Sequence, residues 1–207
     1  MNNATVLAGA SPFDVDTALT GFGLAMGPFA VGDLARQDAD GYFWVTGRKK
    51  ELIIRGGHNI DPKMIEEAMH AHPDIVLAAA IGRPDEKAGE LPVLYYQSTT
   101  GRDVTPQDLA AYAQDNIPER AALPKAFIRL DELPLTAIGK IHKPTLNMLE
   151  IERTIRAEAE AVEATIDSLE VTPDSQRGII AWLKADTGQD NLARRLGNYA
   201  FAVEFKA

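Results

Sequence analysis

Between Gly32 and Pro62 the chain reads GDLARQDADGYFWVTGRKKELIIRGGHNIDP, and turn residues punctuate it too closely for one long element. Gly32-Asp33 places a carboxylate in a tight turn, and Asp38-Ala39-Asp40-Gly41 is a second turn, rich in residues that accept Asx-type or left-handed geometry. Tyr42-Phe43-Trp44-Val45 has the aromatic and β-branched character of a strand, and Glu51–Arg55 reads as the strand that returns. Gly47-Arg48-Lys49-Lys50 is the basic corner between them. Gly56-Gly57 ends the second strand and leaves backbone open to close approach. Asp61-Pro62 starts a helix, with Asp as N-cap and Pro at the first helical position. An acid, then cations at a bend, then a glycine pair describe a site more than a core.

The following residues predict a compact α+β unit. A helix over residues 61–71 turns Met64, Ile65, Ala68 and Met69 to one face. Ile75–Ile81 is a continuous apolar run of strand length, Gly82–Asp85 a turn, and Leu91–Gln97 the neighbouring strand, with Pro92 at its beginning. Thr105-Pro106-Gln107-Asp108 carries cap and proline signals for a second helix, which Pro118 ends. Ala126–Leu130 is a third strand. The expected architecture is a hairpin plus a three-stranded sheet flanked by helices. A long helix over about 145–164 follows, and then a small β–β–α–β lobe in which no chemistry is apparent. The chain accordingly divides into residues 1–31, 32–144 and 145–207.

Composition excludes several classes of function. A formal net charge of −9 argues against nucleic-acid binding, which needs clustered cations. Cysteine is absent, so disulfides and thiolate sites are ruled out, as suits a cytoplasmic protein. No apolar run reaches membrane-spanning length, and Met1–Thr5 lack a basic signal-peptide start. His70, His72 and His142 have no partner at ligand spacing, so no protein-built metal site is expected.

A second punctuated segment, Pro134-Leu135-Thr136-Ala137-Ile138-Gly139-Lys140-Ile141-His142-Lys143, sets a lysine after a glycine at a loop tip framed by Pro134 and Pro144. Together the two segments resemble the small C-terminal domain of adenylate-forming enzymes, specifically acyl-CoA synthetases. The likeness runs over roughly residues 32–150. It implies a two-step reaction in which a carboxylic acid and ATP give an acyl-adenylate, and CoA then takes the acyl group as a thioester. It implies Lys140 as the catalytic cation, and a long flexible ammonium suits charge gathering between a carboxylate and a phosphate. Asp33 would accept from the two ribose hydroxyls of ATP or AMP, and Arg48 would donate to ribose or phosphate. Lys50 matches the hinge about which the domain turns between half-reactions. Gly56, Gly57 and His58 would line the path of CoA, with His58 a neighbouring polar group rather than a base. Mg would arrive with the ATP phosphates.

The family's phosphate-gripping loop and acyl pocket, which belong to a large N-terminal domain, have no counterpart here. The chain is therefore expected to be incomplete and inactive alone. Residues 13–35, with Gly21-Phe22-Gly23-Leu24-Ala25-Met26-Gly27-Pro28-Phe29, are also similar to part of the C-terminal domain of 3-hydroxyacyl-CoA dehydrogenases. Val31 stands where synthetases carry a hydroxyl residue, so the resemblance suggests a hybrid joined at Gly32-Asp33-Leu34-Ala35. A dehydrogenase piece is the weaker alternative, because no dinucleotide-binding glycine fingerprint is present. A non-catalytic nucleotide- or partner-binding fragment is the other.

Overall fold

The structure, a computed structural model, describes residues 33–37, 40–99, 101–102 and 104–206. The leader over residues 1–31, Gly32 and the Asp38-Ala39 half of the predicted turn lie outside these. The chain forms two compact units, Met1–Leu52 and Ile53–Ala207.

In the first unit, β1 (Asp33–Gln37) pairs antiparallel with β2 (Phe43–Arg48), from Asp33 opposite Arg48 to Gln37 opposite Phe43, with a bulge at Leu34/Ala35. This corrects the expected hairpin. The partner of β2 is the segment before it, not Glu51–Arg55. The bend falls at the Asp-Gly turn, where Gly41 has φ +89°. Arg48 thus ends a strand instead of sitting at the hairpin bend, and Lys49–Glu51 form a single 3-10 turn.

The second unit is built on a five-stranded sheet. β3 (Ile53–Arg55) and β4 (His58–Ile60) form a tight hairpin. Gly56 (φ +55°) and Gly57 (φ +85°) make its two-residue turn, whose mirror-image geometry suits the right-handed twist of the strands. β5 (Ile75–Asp85) and β6 (Gly89–Ser98) form the long central hairpin, β3 joins β6 at Gly89, and β7 (Phe127–Arg129) adds parallel to β6. The sheet therefore has five strands where three were expected, because the short glycine hairpin and the central pair share one surface. The predicted turn at Gly82–Asp85 is strand. Pro84 fits there because β5 is an edge strand and its missing donor breaks no ladder. Pro92 lies fourth in β6, not first, between the stretches that pair with β3 and with β7.

Helices α1 (Pro62–His70) and α2 (Pro106–Asn116) cover one face of this sheet. Asp61 caps α1 by accepting from the Lys63 amide, and Thr105 and Asp108 form a capping box on α2. Ala78, Ala80, Leu94 and Tyr96 meet Ile65, Met69, Leu109 and Ala113 in one core. The alternate residues Ala79, Ile81, Val93 and Tyr95 pack on Leu133 and Leu146 in another. Burial on both faces is why these strands read as unbroken apolar runs. Each fully buried Leu or Ile contributes about 1.5–3 kcal/mol of transfer free energy.

Helix α3 (Lys143–Ala161) serves two cores. Leu146 packs on the main sheet, while Ile151, Ile155 and Ala159 pack on the terminal lobe. That lobe follows the expected β–β–α–β order: β8 (Thr165–Asp174), β9 (Gly178–Thr187), α4 (Gln189–Leu196) and β10 (Ala202–Phe205). β9 is central, antiparallel to β8 and parallel to β10. Glu158 of α3 fastens the lobe, accepting from Arg195 Nε at 2.5 Å and from the Tyr199 hydroxyl at 2.6 Å. The Arg195 bond holds the Glu158 carboxyl below the usual carboxylate range, burial opposes this, and the Tyr199 bond reinforces it.

The carboxyl thus binds its proton less tightly folded than unfolded. Its contribution to stability is full above the ordinary carboxylate range and is lost as pH falls through the depressed value. The urea midpoint should therefore fall on acidification between about pH 5 and pH 3, and Glu158→Gln should make that fall shallower. An identical pH profile for the two proteins would contradict this role.

Candidate functional site

Lys140 lies at the end of a small closed hairpin. Leu135 and Ile141 form an antiparallel bridge, and the His142 amide donates to the Pro134 carbonyl at 2.7 Å. Inside that stem the Thr136 amide donates to the Lys140 carbonyl at 2.7 Å, and the Gly139 amide donates to the Thr136 carbonyl at 2.9 Å. The Lys140 amide donates to the Thr136 hydroxyl at 3.1 Å. Gly139 has φ +78°, so the sequence places glycine where the turn needs the left-handed region. Ile138 at the tip is 78% exposed, and Lys140 is exposed as well. Among the described residues no carboxylate pairs with the Lys140 ammonium. The backbone is fixed while the charge stands free, which is what delivery of a cation to a reaction elsewhere requires. At the foot of the hairpin Leu130, Leu133, Pro134, Leu135 and Leu149, with Glu132 and Thr145, line an open cleft of about 560 Å³.

Gly56, Gly57 and His58 form a second feature. All three are exposed, and a Cβ at either glycine would meet no atom within 4 Å. The hairpin is tied to the β5–β6 turn. The Gly56 amide donates to the Ala88 carbonyl at 2.7 Å, and the Ile54 amide donates to Glu90 Oε2 at 2.8 Å. Burial pushes the Glu90 carboxyl up, and the Ile54 amide pulls it down more weakly. Arg55, Gly56, His58, Ala88, Arg120 and Ala121 line a cleft of about 420 Å³. Arg55 Nη1 donates to the Ala121 carbonyl at 2.6 Å, which holds its guanidinium at the wall. Arg55 and Arg120 were not singled out from the sequence. They lie far apart in the chain, and only the sheet brings them together. The signal available was an arginine directly before the glycine pair.

Because the space beside the glycine turn is empty, substituting it tests backbone conformation alone. Gly57→Ala should lower stability by about 1–2 kcal/mol, the cost of a left-handed non-glycine residue, read from the urea midpoint. No loss would mean the turn relaxes to another geometry.

In the first unit Asp33 and Arg48 are directly opposed in the β1–β2 register. Fifteen residues separate them in sequence, so pairing, not spacing, joins them. Lys50 is exposed in the 3-10 turn, and the division between the two units falls just after it, between Leu52 and Ile53. Among the described residues no three His, Asp or Glu side chains cluster as a metal site would need.

The family model of the AMP-binding enzyme C-terminal domain matches residues 64–140, ending on the hairpin lysine. Residues 64–140 are thus similar to the AMP-binding enzyme C-terminal domain. Marinolic acid–CoA ligase of Pseudoalteromonas sp. (strain SANK 73390) is 48% identical to the chain over 150 residues, which is 72% of this chain and 23% of the relative. Indoleacetate–CoA ligase of Aromatoleum aromaticum is 42% identical over 128 residues, 62% of this chain and 25% of the relative. The chain is also similar to solved folds. ATP-bound MatB from Rhodopseudomonas palustris superposes with a TM-score of 0.54 at 32% identity, over 57% of this chain and 24% of that one. The o-succinylbenzoate CoA synthetase (MenE) of Bacillus subtilis with its acyl-adenylate intermediate gives 0.52 at 32% identity, over 56% and 23%. The chain spans about a quarter of the length of the relatives it matches. Among the described residues no helix is long and apolar enough to cross a membrane.

Proposed function

We propose that the chain is the C-terminal portion of an ATP-dependent acyl-CoA synthetase and acts with a large adenylation domain that it does not itself contain. In the first half-reaction a carboxylate oxygen of the acid bonds to the α-phosphorus of ATP, the bond to the bridging oxygen breaks, and pyrophosphate leaves. Negative charge collects on the transferring phosphate and the attacking oxygen, and Lys140 supplies the cation that offsets both. In the second, the CoA sulfur attacks the adenylate carbonyl, AMP leaves, and the thiol proton is lost. The Gly56-Gly57 turn permits the pantetheine arm to pass close to backbone, and the cleft with Arg55, His58 and Arg120 offers donors to its phosphates.

The observation that carries this reading is the free Lys140 ammonium on a closed hairpin, at the last residue of the family match. Asp33 and Arg48 are the residues for the ribose and phosphate of ATP, supported by their opposed register. Lys50 is the hinge, supported by the division of the chain just after it. Mg accompanies ATP. The family names of the relatives support a carboxylic acid as substrate, and composition without cysteine supports a cytoplasmic setting. Residues 1–31 are read as a dehydrogenase-like leader on the Gly-Phe…Met-Gly-Pro-Phe run alone. The experiment is release of pyrophosphate by the chain joined to its adenylation domain, compared with Lys140→Ala.

A further inference from the structure

Three residues after Lys140 stands a second lysine in an awkward place. Lys143 is the first residue of α3, where the positive end of the helix dipole disfavours a cation. No acidic residue lies in that first turn, and His142 makes no side-chain cap. Local preference is broken here, and a tertiary contact compensates for it. Lys143 Nζ lies 2.8 Å from Glu66 Oε1, and the two side chains are only 17% and 16% exposed. The same oxygen accepts from the Ala80 amide at 2.9 Å. β5 is an edge strand, so this amide finds its partner in the helix that packs over the sheet and not in another strand. One carboxylate of α1 therefore grips the sheet with one bond and the start of α3 with another.

The consequence falls on the Lys140 hairpin. Its second arm runs Lys140, Ile141, His142, Lys143 without slack, since Ile141 is bridged to Leu135 and the His142 amide is held by Pro134. Whatever fixes Lys143 fixes that arm. We propose that Glu66 is a positioning residue for Lys140: through Lys143 it anchors the stem of the hairpin to the sheet, so that the free ammonium is presented in one place. The two lysines then have opposite jobs, one held and one offered. This inference rests on the reading of Lys140 as the charge-neutralising group.

Two measurements test it. In the 207-residue chain, Glu66→Gln keeps an oxygen for the Ala80 amide but removes the charge facing Lys143. Amide hydrogen exchange at Thr136, Gly139 and Lys140 should quicken about tenfold, as expected when one charge-assisted hydrogen bond is weakened. Exchange at Ile81 and Leu94 in the sheet should not change. Lys143→Met, which leaves Glu66 on the Ala80 amide, should reproduce the effect. Unchanged hairpin exchange in both single variants would overturn the proposal, as would equal loss of protection across hairpin and sheet.

In the chain joined to its adenylation domain, Glu66→Gln should slow adenylate formation about tenfold and leave thioester formation from supplied adenylate unaltered. Equal slowing of both halves would reduce Glu66 to a structural role and reject the proposal. If Lys140→Ala itself left adenylate formation intact, the reading of Lys140 would fail instead, and the exchange experiment would still report on the anchor.

Discussion

Lys140→Ala, in the chain joined to its adenylation domain, is expected to lower the rate of adenylate formation by about 10²–10³, the usual loss when one preorganised charge-stabilising donor is removed. Thioester formation from a supplied acyl-adenylate is expected to change by less than about threefold, because the approach of carboxylate to phosphate that Lys140 offsets is complete before that step. The split arises from the geometry. The hairpin backbone is closed by Thr136, Gly139 and the Leu135–Ile141 bridge, so alanine removes the ammonium and leaves the loop in place. Lys140→Arg should recover little, since a planar guanidinium differs in reach and shape from a compact ammonium. Pyrophosphate release measures the first half-reaction, and CoA-dependent AMP release from the adenylate measures the second. Equal loss in both would assign Lys140 a different task.

The second large effect concerns the fold that carries this hairpin. Glu150 of α3 is 0% exposed, and its carboxylate accepts from the Tyr95 hydroxyl of β6 and from Arg83 Nε of β5. Arg153 stands 3.8 Å away on the same helix, with its guanidinium over the Tyr95 ring. Burial, and then the bond to Glu150, push the Tyr95 hydroxyl up, so it stays protonated and donates. Glu150→Ala would leave that hydroxyl buried without a partner and Arg83 without its counter-ion. Breaking such a pair costs about 3–5 kcal/mol when both groups are fully buried. Arg83 is 32% exposed and recovers part of this from water, so about 3 kcal/mol is expected. The urea midpoint at unchanged slope reads it out. A loss below about 1 kcal/mol would equate the pair with an ordinary surface ion pair.

The helices were legible because their signals are local. Asp61-Pro62 and Thr105-Pro106-Gln107-Asp108 announce their own caps, and the caps are present. The terminal β–β–α–β order was legible for the same reason, from short alternating strands set apart by turns. What misled was pairing. Glu51–Arg55 is partly strand, but its partners are β4 and β6, and nothing in a strand's own residues names the partner across the sheet. Pro84 looked like a turn because the rule against proline in strands relaxes at an edge, and whether a strand is an edge is a property of the whole sheet. The sequence made the glycine pair and the hairpin lysine conspicuous through turn chemistry. It hid Glu66, Arg55, Arg120 and Glu150, whose roles come from neighbours distant in the chain. Glu150 shares its helix with the charged Glu152, Arg153 and Arg156 and is nonetheless fully buried.

The most direct test of the central claim is pyrophosphate release after the 207-residue chain is added to a matching adenylation domain that lacks its own C-terminal portion. Release should require both components together with ATP and the carboxylic acid, and should disappear when the added chain carries Lys140→Ala. Release at the same rate without the chain, or with the Lys140→Ala chain, would contradict the account.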